Sequence, residues 1–333
     1  MQFYKGCESL SFFISTYVVF FLQILFVYFV DDINSEEMNE TNTTLIMHKQ
    51  IFSVIFIFTV YTHYVVSFHD PGIIEKDNNL EVLEFYNFIY KEINQIKNKF
   101  NRTREREDES DDFSEESSLS LSSEEDNNLP ITNKNIISKR KQKIISEKYD
   151  FEVSKCKSCY VLRPSFTHHC SECHNCILDR ENHCPWMNNC IGLFNRKNYI
   201  LFCLYSVISV SYSFLIYFYY KVLKNFSHYR DSLLHSLLGI FWLFYCFVYG
   251  GFCLMLLTDE RNAVIKEFRH YGKEKNKLMR AKMQIIFGGN FSIKWFLPCF
   301  EGGKKSVFTF LKKKNEGDSL KNKKYKKAVI KKS

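Results

Sequence analysis

Four long stretches of the 333-residue chain contain no Asp, Glu, Lys or Arg. They are residues 10–30, 50–68, 199–220 and 237–257. An uncharged run of about 20 apolar residues is long enough to cross a bilayer as an α-helix. The first run also lacks a small-residue cleavage site, and its apolar part is too long for a signal peptide. The sequence therefore predicts an α-helical polytopic membrane protein with four transmembrane helices, the first of them retained.

Apolar side chains are nearly absent from residues 104–128, which are Ser, Glu and Asp almost throughout. Such a segment cannot bury enough surface to fold, so it predicts a disordered acidic linker. From Val82 to Phe100, by contrast, apolar residues recur at spacings of three and four, which predicts an amphipathic helix. That helix would lie on the membrane surface or a partner, or would pack on the protein's own cytosolic domain.

Basic residues are scarce between the first two predicted spans. Residues 31–49 contain Lys49 as their one Lys or Arg, against five acidic residues. Most basic residues lie instead in segments 73–198 and 258–333. Because cytosolic loops carry an excess of Lys and Arg, we expect both of these segments and both termini in the cytosol. The loop with Lys221, Lys224 and Arg230 is a mild exception.

The C-terminal tail from Lys304 onward contains twelve lysines against Glu316 and Asp318. A lysine-rich run beside a membrane is attracted to anionic lipid. Nucleic-acid binding is the competing use of such charge. With four spans anchoring the chain, the tail predicts anionic lipid as its partner and no nucleic acid.

Cysteine is sparse outside one short segment, since seven of the twelve cysteines lie between Cys156 and Cys190. Pairs two residues apart are typical zinc ligands, and clustered thiols at metal spacing indicate a reducing compartment. Six cysteines and two histidines supply eight ligands, enough for two closed sites of three Cys and one His. One thiol, Cys184, is left over and is the natural candidate for chemistry.

Cys184 begins the sequence Cys-Pro-Trp, which is followed by Asn189-Cys190 and then Gly192 and Asn195. This pattern resembles the cysteine-rich domain of the DHHC-type protein S-acyltransferases, or palmitoyltransferases. Three further motifs extend the resemblance to residues 10–72, 151–260 and, loosely, 280–298. They are Asp70-Pro71-Gly72 after the second span, Leu257-Thr258-Asp259-Glu260 after the fourth, and Phe287-Gly288 with Trp295-Phe296-Leu297-Pro298.

The resemblance implies a ligand set for each of two structural zinc ions. One zinc would take Cys156, Cys159, His169 and Cys176, and the other would take Cys170, Cys173, His183 and Cys190. The resemblance also makes Cys184 the nucleophile that accepts the acyl chain.

One departure from the family concerns catalysis. The family's Asp-His-His-Cys reads Glu181-Asn182-His183-Cys184 here. Asn182 stands at the position of the general base and cannot accept a proton at neutral pH, so Glu181 has no imidazole to orient. A cysteine is partly thiolate without help, so we expect slowed rather than abolished chemistry. His168 is a possible substitute base.

The function implied is transfer of a fatty acyl group from acyl-CoA, such as palmitoyl-CoA, to cytosolic cysteines of membrane-associated proteins. By location alone, Arg196 and Lys197 are candidate contacts for the CoA phosphates, with a solvated basic face as an equal alternative. The resemblance implies an endomembrane protein of the Golgi or ER. The alternative function is a catalytically impaired zinc-stabilised scaffold or acyl-CoA-binding partner subunit. A membrane-tethered zinc-finger ubiquitin ligase does not fit the ligand spacing.

The predicted organisation places the cysteine-rich zinc domain between the second and third helices. Its parts are transmembrane helices at 10–30, 50–68, 199–220 and 237–257, a cytosolic insertion at 73–150, the zinc domain at 151–198, and a cytosolic C-terminal region at 258–333.

Overall fold

The computed structural model describes residues 14, 16–24, 40–74, 153–164, 166–219, 233–269 and 275–298. Residues 16–24 of the first predicted span are helical. The rest of that span lies almost wholly outside the described residues. So do the predicted amphipathic helix, the acidic linker and the basic tail.

Besides residues 16–24 and a short 3-10 helix at Ile293–Trp295, the described chain contains three long helices and one shorter helix. They are α1 at Glu40–Phe68, α2 at Arg196–Tyr217, α3 at Leu233–Glu267 and α4 at Lys275–Phe287. The first three are long and apolar enough to cross a membrane, over Thr43–Phe68, Arg196–Tyr217 and Gly239–Glu267. They match the prediction of a polytopic membrane protein.

The helices extend beyond the uncharged runs from which the spans were predicted. Helix α1 begins at Glu40, ten residues before the predicted start at residue 50, and α3 continues to Glu267 past the predicted end at residue 257. An uncharged run marks the part of a helix that suits lipid, whereas the backbone hydrogen bonds continue through polar turns. The uncharged runs therefore lie within these helices but do not predict where the helices end.

Helix α2 lies between α1 and α3 and contacts both. Aromatic stacking contributes to the α1–α2 interface, where the rings of Phe58 and Tyr205 are 5.6 Å apart. On the other side, the space above Gly250 of α3 is filled by Val210 of α2. A single apolar cluster joins the three helices to part of the cysteine-rich segment.

The cysteine-rich segment folds into three two-stranded antiparallel sheets rather than one large sheet. The pairs are β1 at Val153–Lys155 with β2 at Leu162–Pro164, β3 at Thr167–Cys170 with β4 at Asn175–Leu178, and β5 at Asn182–Cys184 with β6 at Asn189–Ile191. Their connecting turns use left-handed backbone at Tyr160, His174 and Asn188. Such short hairpins have little core of their own, so metal ligation is the expected source of their stability.

The Asp-Pro-Gly sequence after α1 joins the first helix to the cysteine-rich segment. Asp70 Oδ1 accepts hydrogen bonds of 2.8 Å from the backbone N–H groups of Gly72 and Ile73. Gly72 has a φ of +114°, a conformation that favours glycine, and its carbonyl accepts from the N–H of Leu178 at 2.9 Å. The motif therefore turns the chain out of α1 and pairs it with β4.

Two buried asparagines attach the third hairpin to the end of α1. Asn189 Nδ2 lies 2.9, 3.4 and 3.0 Å from the carbonyl oxygens of Val66, Ser67 and His69. Asn195 Nδ2 lies 3.4 Å from the carbonyl oxygen of Val66 and donates to the carbonyl of Cys190 at 2.9 Å, and its Oδ1 accepts from Gly192 N at 2.9 Å. These side chains satisfy carbonyls that the last turn of α1 leaves without helical partners.

Candidate metal centres and reactive cysteine

The first candidate metal centre is built from the turn between β1 and β2 and from the β3–β4 hairpin. Its residues are Cys156, Cys159, His169 and Cys176, whose ligand atoms all lie within 4.8 Å of one another. His169 and Cys176 face each other across the hairpin register. The His169 Nδ1 atom is 3.1 Å from the Cys159 sulfur and 4.0 Å from the Cys176 sulfur.

The second candidate centre joins the β3–β4 turn to the β5–β6 hairpin. Its residues are Cys170, Cys173, His183 and Cys190, again with all ligand atoms within 4.8 Å. His183 and Cys190 are register partners, and His183 Nδ1 lies 3.4 Å from the Cys173 sulfur and 3.7 Å from the Cys190 sulfur. The Cys173 and Cys190 sulfurs are 3.5 Å apart.

Both donor sets suit zinc. A tetrahedral zinc with Zn–S bonds of about 2.3 Å holds its ligand atoms roughly 3.5–3.8 Å apart. Three thiolates with one imidazole complete the shell and leave no open position, which is the composition of a structural site. The structure therefore brings together the eight residues in the same two groups that the resemblance implies, and each group could hold a metal ion.

Arg180 supplies positive charge beside the second group, where its Nη2 atom lies 3.6 Å from the Cys170 sulfur. Three thiolates around a divalent ion leave a net negative charge, so a neighbouring guanidinium stabilises the site. Asp179 and Glu181, which lie on either side of Arg180 in the sequence, contact Arg196 instead.

Cys184 belongs to neither ligand group. It ends β5 opposite Asn189, its exposed fraction is 4%, and it lies in the apolar cluster that joins the hairpin to the three long helices. Burial raises the pKa of the Cys184 thiol, and hydrogen bonds from the Met187 and Trp186 backbone and the Tyr199 hydroxyl offset this only in part. The free thiol is therefore held where the metal-binding unit meets the membrane helices.

The residues predicted to assist Cys184 differ in where their side chains lie. Asn182 is exposed and shares a face of β5 with Cys184, because strand residues two apart lie on the same side. His183 faces the other way, toward the second ligand group. His168 is exposed on β3, so its position gives no support to a role as substitute base.

Glu181 does not face an imidazole. Its Oε2 atom accepts a hydrogen bond of 3.0 Å from Arg196 Nη2. The same guanidinium donates from Nε to Glu260 at 2.9 Å and from Nη1 to Asp179 at 3.4 Å. Arg196 is 1% exposed.

Lys197 is also enclosed, with Nζ donating to the carbonyl of Lys294 at 2.9 Å. Both basic side chains thus have partners within the protein. Their placement gives no support to the interpretation of Arg196 and Lys197 as contacts for CoA phosphates, which stays a prediction.

Lys282 of α4 completes the charged cluster. Its Nζ atom donates to Asp179 at 3.2 Å and to Glu267 of α3. Burial alone would raise the pKa of Asp179, but the positive charges of Lys282 and Arg196 lower it overall. Burial alone would lower the pKa of Lys282, but the negative charges of Asp179 and Glu267 raise it overall. Burial raises the pKa of the Glu260 carboxyl, and the adjacent Arg196 guanidinium opposes that shift. The cluster connects the cysteine-rich unit to α2, α3 and α4.

Sequence reasoning missed two of these contributors. His63 of α1 donates from Nε2 to the carbonyl of Trp186 at 3.2 Å and so supports the turn that follows Cys184. Lys282 connects α4 to the cluster. The polar interruption at His63 within an apolar run was a usable signal, because a polar side chain in a span is costly without a partner. Lys282 is one of many lysines near the C-terminus, so nothing in the sequence indicated that it would contact Asp179.

Comparison with known proteins agrees with the geometry of this site. Residues 150–274 match the family described as DHHC palmitoyltransferase. The chain is 35% identical over 161 residues to palmitoyltransferase ZDHHC3 of Homo sapiens, covering 44% of this chain and 53% of that protein. It is 28% identical over 157 residues to palmitoyltransferase ZDHHC15 of Xenopus laevis, covering 44% and 46%. The chain thus spans about half the length of the curated relatives it matches.

Proposed function

We propose that this chain, which carries a DHHC-type palmitoyltransferase domain over residues 150–274, is a protein S-acyltransferase. It moves a fatty acyl group from acyl-CoA, such as palmitoyl-CoA, to cysteine thiols of membrane-associated proteins. The observation that carries this proposal is the position of Cys184. It is the one thiol of β5 and β6 outside the ligand groups, and it lies in the apolar cluster shared with the membrane helices.

The chemistry proceeds in two exchanges between thiols and thioesters. The Cys184 thiolate attacks the carbonyl carbon of acyl-CoA, the new carbon–sulfur bond forms, and CoA leaves as a thiolate that takes up a proton. A substrate cysteine thiolate then attacks acyl-Cys184 and releases the Cys184 thiolate. Each step breaks one thioester and forms another, so the reaction needs no external energy source.

Removal of the thiol proton is the slow point of this mechanism. Asn182 carries no acceptor of useful basicity, and the Glu181 carboxylate is engaged by Arg196 at 3.0 Å. Burial also raises the pKa of Cys184. General-base assistance typically contributes about 10²–10⁴ in rate, so acylation of Cys184 is expected to be slow at neutral pH.

The two zinc ions would have a structural role. Bound by the two groups of four ligands, they fix the three hairpins relative to one another, since both groups link residues from two hairpins or their turns. His183 belongs to the second group and immediately precedes Cys184. A metal ion at that group would therefore help to position the thiol and would have no role in the chemistry.

The remaining features extend the proposal to the whole protein. We infer four transmembrane helices, with the zinc domain and both termini in the cytosol of an endomembrane such as the Golgi or ER. The three spans of the described residues and the distribution of Lys and Arg support this topology. The lysine-rich tail would bind anionic lipid.

The test is labelling of the purified full-length chain with a clickable fatty acyl-CoA, read as hydroxylamine-sensitive signal. Wild type is compared with Cys184→Ala, Asn182→His and Asn182→Gln at equal zinc content. Because residue 182 shares the strand face of Cys184, an imidazole there is suitably placed to take the thiol proton. We expect label that requires Cys184, increases in Asn182→His and does not increase in Asn182→Gln.

The alternative function, a catalytically impaired scaffold or acyl-CoA-binding partner subunit, predicts the opposite result. The Glu-Asn-His-Cys sequence is the observation that favours it. Wild-type label no greater than that of Cys184→Ala, in zinc-loaded protein given ample time, would exclude the enzyme. Binding of acyl-CoA without transfer would then support the partner-subunit role.

A further inference from the structure

We propose that Arg196 is a positioning residue for Cys184. By joining Glu181 to Glu260, it holds the β5–β6 hairpin, and with it the thiol, against the helix α3. This inference rests on the proposed acyltransferase function and assigns Glu181 an anchoring role in place of the imidazole-orienting role that the resemblance implies.

The geometry of Arg196 sets it apart from an ordinary surface cation. It is the first residue of α2, it is 1% exposed, and its Nε, Nη1 and Nη2 atoms each contact a different carboxylate. Two of the carboxylates, Asp179 and Glu181, belong to the cysteine-rich unit, and Glu260 belongs to α3. One side chain thus connects the two parts of the protein that meet at Cys184.

A buried guanidinium restricts this junction to one arrangement. Arginine presents its N–H donors in a planar fork of fixed geometry, whereas lysine has a compact charge that cannot match three separate carboxylates in one plane. Glu181 is partly exposed, and moving it away from α3 breaks its 3.0 Å ion pair with the buried guanidinium, while Asp179 and Glu260 hold Arg196 in place. Small displacements of Glu181 relative to α3 are therefore opposed.

The path from Glu181 to the thiol is short and rigid. The N–H of Glu181 donates to the carbonyl of Ile191 at 2.9 Å, which closes the open end of the β5–β6 hairpin. Cys184 follows three residues later, about 10 Å along an extended strand. At the other end of the hairpin, Asn189 pairs with Cys184 and contacts the carbonyls of Val66 and Ser67 in the last turn of α1.

The hairpin is consequently attached at both ends, through Arg196 to α3 and through Asn189 to α1. Removing Arg196 frees one attachment and leaves the other, together with both ligand groups. The expected result is a folded, zinc-loaded protein in which Cys184 is less precisely placed. A misplacement of about 1 Å can lower a rate by roughly 100-fold.

The experiment uses the full-length chain in lipid nanodiscs and compares Arg196→Gln, Arg196→Lys and Glu181→Ala with Lys282→Gln. Lys282 is the matched control, because it belongs to the same charged cluster but contacts Asp179 and Glu267 rather than Glu181. Two quantities are measured for each variant. One is the initial rate of acyl-Cys184 formation against acyl-CoA concentration, and the other is hydrogen–deuterium exchange of residues 181–191.

We expect Arg196→Gln to lower the maximal acylation rate roughly 10- to 100-fold while the half-saturating acyl-CoA concentration changes less than about twofold. Exchange in residues 181–191 should increase. Glu181→Ala should also lower the maximal rate and increase the hairpin exchange. The double variant should be no slower than Arg196→Gln alone, since Arg196→Gln already removes the contact to Glu181 together with those to Asp179 and Glu260. Lys282→Gln should leave the hairpin exchange and the maximal rate near those of wild type.

Wild-type rate and wild-type hairpin exchange in Arg196→Gln would overturn the proposal, as would an equal loss of rate in Lys282→Gln. If Arg196→Gln loses zinc, Arg196→Lys supplies the comparison, with a smaller loss of rate expected and an unchanged rate counting against the proposal. If wild type itself is not acylated, the acyltransferase function fails, and hydrogen exchange alone decides whether Arg196 positions the hairpin.

Discussion

The Nδ2 atom of Asn189 lies 2.9 Å from the carbonyl oxygen of Val66, although the two residues are 123 positions apart in the chain. This contact attaches the hairpin that carries Cys184 to the end of a membrane helix. The Asn189 Oδ1 atom accepts from the N–H of Cys190 at 2.8 Å, so one buried amide serves both sides of the junction.

Asn189→Ala should destabilise this junction. The substitution leaves helix-end carbonyls and the Cys190 N–H without their partner, at a cost of about 1–3 kcal/mol for each buried group left unsatisfied. Thermal unfolding of zinc-loaded protein in detergent would measure the loss. Asn188→Gly is the control, because Asn188 has a φ of 48° that glycine adopts freely. Equal stability of Asn189→Ala and wild type would contradict the assigned role.

Gly192→Ala should be among the most damaging single-methyl additions in the described part of the chain. A Cβ atom at residue 192 would lie 2.3 Å from the Pro71 carbonyl oxygen and 2.7 Å from Ile177 Cγ2. Overpacking of this kind costs about 1–3 kcal/mol or more, and here it pushes the hairpin away from the Asp-Pro-Gly turn.

Gly251→Ala is the matched control for that change, since outside the adjacent backbone of α3 the added methyl group would meet no heavy atom within 4 Å. Alanine also favours a helix over glycine, so we expect this variant to be neutral or slightly stabilising. Unfolding temperature and zinc content would be measured side by side. Similar losses in the two variants would mean that the close approach at Gly192 is not what constrains it.

The two ligand histidines should each account for one zinc ion. Loss of one ligand from a closed structural site removes most of its affinity, so His169→Ala and His183→Ala should each bind about one zinc per chain instead of two. His168→Ala should retain both, because His168 is exposed on the same strand and belongs to neither group. Metal analysis of purified protein would decide this, and zinc loss in His168→Ala would contradict the ligand assignment.

Acylation of Cys184 should become faster as the pH rises from about 7 to about 9, because the thiolate is the nucleophile and the ordinary cysteine pKa is about 8.5. Burial raises the pKa of Cys184, so the thiolate fraction at neutral pH is below that of a free cysteine and continues to grow through this range. Initial labelling rates in buffers of matched ionic strength would show the trend.

In Asn182→His, the gain in rate should be concentrated near and below neutral pH. The introduced imidazole, with an ordinary pKa of about 6.5, accepts a proton in the range where the unassisted thiol does not ionise. For the wild-type protein, an acylation rate that no longer increases above pH 7 would contradict the assignment of Cys184 as a buried thiol without a general base.

Sequence spacing was sufficient to predict ligands for two zinc ions, because ligand pairs in tight hairpins are local in the chain, and the family resemblance divided them into two sets. The structure brings the eight residues together in those two groups, each of which could hold a metal ion. The spare thiol was also identifiable by counting. The residues of each metal-binding group lie within 20 positions of one another, so their spacing can be recognised in the sequence.

The charged cluster could not be read in the same way. Arg196 lies 64 positions from Glu260, and Lys282 lies 103 positions from Asp179. Which of 45 basic residues becomes buried against which carboxylate is decided by the packing of α2, α3 and α4. Local sequence therefore suggested a surface role for Arg196, whereas the structure encloses it.

Helix α3 contains 35 residues, which corresponds to a rod about 50 Å long. A bilayer core is about 30 Å thick, so α3 is longer than a span requires, and we infer that the turns from Thr258 to Glu267, beyond the last uncharged stretch, extend past the lipid. Glu260 and Glu267, which bind Arg196 and Lys282, lie on this protruding part. We infer that this rigid helix end sets the distance between Cys184 and the bilayer. The proposed enzyme would then favour substrate proteins whose cysteine lies at that distance from the membrane surface.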